Sequence, residues 1–120
     1  MLYSLDEKKM KDVPLKRKAK FQSWMKKLKI NDYQSIKKAI NEYCDGKEVV
    51  ISSYIPGCNW IGTPYEPIYH ICNMDQVQAG FFFGLIVWKV MIDRQEKWYF
   101  KPADSEDDAL GTTYFRPKTL

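Results

Sequence analysis

The residues best equipped for chemistry lie in one stretch, Ser52 to His70. It carries the only histidine of the chain, His70, together with the thiol of Cys58, the carboxylate of Glu66, several hydroxyls and the rings of Tyr54, Trp60, Tyr65 and Tyr69. Cys58, His70 and Glu66 are the residue types of a nucleophile, a base and an orienting group. The surrounding sequence argues against that use. Cys58 follows the Pro56-Gly57 turn, with no helix N-terminus to lower its pKa, and a single histidine supports at most one catalytic role. The thiol and the histidine read instead as a structural thiol and a half-buried histidine. Metal binding is weaker still, because Cys58, His70 and Cys72 lack paired short spacings and Cys44 falls on a separate helix. The acidic run Asp104 to Asp108 lacks the alternating ligands and central glycine of an EF-hand loop and reads as a solvated hairpin tip. No catalytic residue, metal or cofactor is assigned.

The same stretch suits binding better. Pro56, Pro64 and Pro67 stiffen it, and Gly57 and Gly62 let it turn. A stiff loop with amphipathic rings loses little entropy on capture of a partner. The expected binding set is Tyr54, Asn59, Trp60, Tyr65, Glu66 and His70, with Trp60 and Tyr65 as partly exposed neighbouring anchors.

The elements that must position this loop follow from spacing. Pro14 can open a helix, and Phe21, Met25 and Leu28 form one apolar stripe at i, i+4, i+7. Asn31, with Gln34 three residues on, predicts an N-cap for a second helix carrying Ile36, Ala39, Ile40 and Tyr43, stopped at Gly46. Glu48 to Ile55 is rich in β-branched residues and predicts a strand. A short helix from Thr63-Pro64 through Cys72 follows, then a helix from the Asp75 cap to about Asp93. That last helix is apolar nearly all round, hence buried, and its Gly80/Gly84 ridge predicts a close crossing with a neighbour. Trp98 to Lys101 and Thr112 to Arg116 complete the pattern as strands. The expectation is a single α+β domain over residues 1–120, order ααβααββ, with a three-stranded antiparallel sheet and residues 1–13 as a flexible segment.

Charge divides the chain near Val49. Residues 1–48 hold 13 Lys/Arg against 7 Asp/Glu, and the rest hold 6 against 8. A basic face on Lys16, Arg17, Lys20, Lys26 and Lys27 makes nucleic acid an alternative ligand, of the weak, sequence-blind and salt-sensitive kind. The element order also matches a winged helix. Its groove-reading helix, however, would be the Phe-Phe-Phe-Gly-Leu-Ile-Val-Trp segment, which is too apolar to enter a groove.

A composition that is 45% apolar and 28% charged is that of a folded, soluble domain. The longest apolar run, Ala79 to Trp88, is about half the ~20 residues a membrane span requires. No secretory signal opens the sequence, and three cysteines, an odd number, suit a reducing cytoplasm. The expected function is a non-enzymatic interaction module acting through the 52–70 loop, on a protein partner or on a second copy of itself as a homodimer. Accessory proteins of phages and mobile elements include many chains of this size, which is a statement about length and not about any residue. Two alternatives remain open. One is the nucleic-acid binder; the other is a small-molecule binder or enzyme with a pocket under the same loop, using Glu66 and His70.

Overall fold

The computed structural model describes residues 1–55, 59–101 and 111–117. Strands β1 (Leu2–Tyr3) and β2 (Lys9–Met10) precede helices α1 (Leu15–Met25) and α2 (Ile30–Cys44). Strand β3 (Val49–Ile51) leads into a single 3₁₀ turn at Ser52–Tyr54. Helices α3 (Glu66–Ile71) and α4 (Gln76–Asp93) follow, then strands β4 (Trp98–Lys101) and β5 (Thr113–Phe115). The class is α+β, and the described residues form four helices and one five-stranded sheet of order β2-β1-β4-β5-β3.

The sheet corrects the expected three antiparallel strands. Residues 1–13 supply two more, as a hairpin whose β1 pairs with β4 in parallel, Leu2 opposite Trp98 and Tyr3 opposite Tyr99. The order is therefore ββααβααββ. Strands of two residues are too short to display a period, and the partner of β1 lies far along the chain, so no local pattern announces the pairing. The β4–β5 and β5–β3 pairs are antiparallel, with Phe100 opposite Tyr114 and Tyr114 opposite Val50. One face of the sheet thus carries Leu2, Trp98, Tyr114 and Val50 into the core. The other carries half-buried Tyr3, Tyr99 and Phe115 in a row, with Tyr99 stacked on Phe115 at 5.7 Å.

Helix α4 is the hub. The Asp75 carboxylate accepts from the Val77 and Gln78 amides at 3.0 and 3.1 Å, which is the expected cap. Phe82 packs on Trp24 of α1 at 5.2 Å, Phe83 meets Tyr65 at 5.0 Å, and Trp88 meets Phe100 of β4 at 4.6 Å. The Trp88 indole also donates to the Asp12 carbonyl. As the sequence predicts, most of this helix is buried.

Further boundaries differ from expectation, and α3 opens at Glu66 rather than at Thr63-Pro64. Asn31 does not cap α2; the helix opens two residues earlier, with extended Lys29 in the cap position and no side-chain bond there. Leu28 is anchored in the core just before it, and the Lys29 carbonyl takes the first helical bond from Tyr33. Strand β3 stops at Ile51 rather than Ile55. Ser52 leaves the ladder, its amide donating to the Thr112 carbonyl and its hydroxyl accepting from the Thr112 amide at 3.0 Å. Among the described residues, no helix is long and apolar enough to cross a membrane.

Candidate functional site

A cavity of about 550 Å³ opens between α4, the start of α1 and the sheet end where Ser52 meets Thr112. From α4 it is lined by Val77, Gly80, Phe81, Gly84, Leu85 and Trp88. Pro14, Lys16 and Arg17 come from the start of α1, and Ser52, Ser53 and Trp60 from the segment that leaves β3. Phe100, Gly111 and Thr112 close the sheet side. The volume falls within the range of about 300–1,000 Å³ typical of small-molecule sites.

The floor of this cavity is the Gly80/Gly84 ridge, one helical turn apart. A Cβ built at either position has no neighbouring heavy atom within 4 Å among the described residues. Among the described residues no element therefore makes the expected close crossing over the two glycines. The sequence marks the right positions, and the space across from them is what differs.

The far wall is pinned tightly. Gly111 adopts φ +90°, and a Cβ there would lie 2.9 Å from the Ser53 hydroxyl and 3.0 Å from its amide. Trp60 is 5% exposed, stacks on Tyr69 at 6.0 Å and meets the edge of Phe83. Its indole N–H is the one fully buried side-chain donor without a hydrogen-bond partner among the described residues.

Lys16 and Arg17 are the charged side chains among the described lining residues, and the Arg17 guanidinium sits 4.5 Å above the Phe81 ring. The first turn of α1 holds no acidic residue, and its side chains make no capping bond. Gln76 and Val77, the first residues of α4, also line the cavity. Both helices thus begin beside the same opening, α4 with its first amides already bonded by the Asp75 carboxylate.

The residues expected to bind distribute otherwise. Trp60 and Tyr65 are core, 5% and 7% exposed, not partly exposed anchors. Both rings fold inward because Phe83 and Tyr69 offer them aromatic faces. Tyr54 is 68% exposed and Asn59 is exposed, and neither lines the cavity. Glu66 and His70 lie on α3 as an exposed pair at 3.2 Å, also away from the cavity lining. Glu66 has a local duty: it accepts from the Gly62 amide at 2.8 Å, which with His70 holds its carboxyl below the usual range. Cys58 and Asp104 to Asp108 lie outside the described residues.

Burial pushes the thiols of Cys44 and Cys72 up to about 11, so both stay protonated and unreactive near neutrality. Of the basic set, Lys16, Arg17 and Lys20 ride on the first two turns of α1, and Lys20 lies over Trp24. Lys26 and Lys27 stand at the end of that helix and in the turn beyond it. Among the described residues, no group of three His, Cys, Asp or Glu side chains is placed to hold a metal ion.

Sequence reasoning missed Phe81, Leu85, Trp88 and Phe100 as lining residues, because an apolar residue facing a cavity looks the same in sequence as one facing a neighbour. Ser52 and Ser53, a hydroxyl pair inside a β-branched run, were the available sign that the strand ends there. No known protein family, curated protein or solved structure matches this chain.

Proposed function

We propose that this chain is a small-molecule binding domain whose working element is the cavity above Gly80 and Gly84. The observation that carries the reading is the emptiness above those glycines. A glycine inside a helix destabilises it by about 1 kcal/mol relative to alanine. Such a residue is explained when another element approaches closely, and at Gly80 and Gly84 no described atom does. Keeping two of them in the central helix of the core, at roughly 2 kcal/mol together, is explained when the space itself has a use. The mixture of aromatic walls with a few polar residues, Ser52, Ser53 and Thr112, supports the same reading.

The test uses a neutral apolar dye, N-phenyl-1-naphthylamine, whose fluorescence rises on entering a dry site. Saturable binding to the wild-type protein is expected, and Gly84→Leu, which projects a side chain into the cavity, should abolish it. Thermal stability of that variant should hold or rise, because leucine is the better helix former. Equal dye binding by Gly84→Leu, or no saturable binding by the wild type, overturns the proposal.

A further inference from the structure

We infer that the ligand of this cavity is an uncharged, planar, multi-ring apolar molecule, held by stacking and apolar contact rather than by an ion pair or a set of hydrogen bonds. The inference rests on the reading of the cavity as a ligand site and adds its chemistry. Planarity follows from the floor. Gly80 and Gly84 stand four residues apart, about 6 Å along the helix axis. A Cβ built on either meets no heavy atom within 4 Å among the described residues. Two successive turns without a Cβ present bare peptide groups, and a flat ring system can rest on them in van der Waals contact. One added methyl group would lift such a plane off its support, whereas a flexible chain bends around it. Phe81, Trp88 and Phe100 stand about this floor. Trp88 and Phe100 meet at 4.6 Å with their planes tilted by 60°, an aromatic corner that a further ring extends.

Neutrality follows from the polar groups of the wall, which the chain itself engages. Ser52 and Thr112 exchange two hydrogen bonds: the Ser52 amide donates to the Thr112 carbonyl at 3.1 Å, and the Thr112 amide donates to the Ser52 hydroxyl at 3.0 Å. The Trp88 indole donates to the Asp12 carbonyl at 3.0 Å. The Arg17 guanidinium lies over the Phe81 ring, and Lys16, Arg17 and Ser53 each have a further interaction within the chain. Gln76 is exposed to water. A charged or strongly polar ligand would give up its hydration here and find these groups taken, a desolvation cost without a matching return. A fused-ring hydrocarbon surface carries no such hydration to lose.

The test sets a rigid plane against a flexible chain. Phenanthrene and 1-decanol are each read by displacement of N-phenyl-1-naphthylamine, and 8-anilino-1-naphthalenesulfonate is titrated directly as the charged analogue of that dye. In the wild type, phenanthrene should bind at least about tenfold more tightly than 1-decanol, and the sulfonate no more tightly than the uncharged dye. Gly84→Ala adds one methyl group to the floor and should fold at least as stably. It should weaken phenanthrene by about tenfold and 1-decanol by less than about threefold. Binding of 1-decanol as tight as that of phenanthrene, or an effect of Gly84→Ala equal on the two, would refute the planar ligand. A sulfonate bound more tightly than the uncharged dye would refute its neutrality. Both results leave the cavity reading intact. If Gly84→Leu leaves the uncharged dye bound as before, the cavity reading itself fails.

Discussion

At position 60 one side chain belongs to the core and to the cavity at once. Its ring is stacked on Tyr69 and edged by Phe83, while its N–H has no partner among the described residues. Trp60→Ala should therefore cost about 3–5 kcal/mol of stability, read from a urea melt. A loss under 1 kcal/mol would mean that the indole is not core. The sequence singles out Trp60 correctly but places it outside, because the density of proline and glycine around it suggests a surface loop. Whether a ring turns in or out depends on what stands opposite, and Phe83 and Tyr69 cannot be aligned with it from spacing alone. Gly111 is a second residue with a definite cost. Its left-handed backbone and the Ser53 atoms beside it leave no room for a methyl group. Gly111→Ala should lower the melting temperature clearly, by roughly 1–3 kcal/mol of stability, and a neutral outcome would contradict the tight Ser53 approach.

Among the elements, α4 was the most legible. Its cap at Asp75, its length and its all-round apolarity are each local properties, and all three hold in the fold. What could not be read was the meaning of its glycines, since a ridge of small residues serves a close helix crossing and an open cavity equally. The two cases give substitutions of opposite sign. A crossing would make Gly80→Ala and Gly84→Ala destabilising, whereas facing open space each should raise stability by about 0.5–1 kcal/mol. Differential scanning calorimetry on the two single variants distinguishes them, and a drop in melting temperature for both would restore the crossing. The sheet was less legible than the helices. Its central β4 and β5 announce themselves by residue type, while β1 and β2 consist of two residues each and take their structure from a distant partner.

For the whole molecule, a cluster around Arg94 ties the ends of two helices to the start of the sheet. The Arg94 side chain is 12% exposed, and its guanidinium donates to Asn41 and Asp45 at the α2 end at 2.7 Å and to Glu96 at 2.5 Å. Burial alone would raise the Glu96 carboxyl, but hydrogen bonds from the Trp98 indole and Arg94 outweigh it and hold the group at about 2, below its ordinary 4.5. The folded state therefore binds that proton more weakly than the unfolded state. The contribution is complete above about pH 4.5 and is lost as the pH falls toward 2. Urea midpoints should fall over this window, Glu96 contributing on the order of 1–3 kcal/mol. Glu96→Gln should lower stability at neutral pH and flatten the acid side of the profile, and an unchanged profile would remove Glu96 from the account. The parallel pairing of Leu2 with Trp98 has a consequence in time. During synthesis at about 5–20 residues per second, the first strand emerges many seconds before the strand it pairs with exists. Over that interval an unpaired edge, guarded by Lys8, Lys9 and Lys11, must stay in solution without joining another nascent chain. Closing so long a loop also makes this pairing a late event, so the hairpin that completes the sheet should be the last part to gain protection in pulse-labelled refolding.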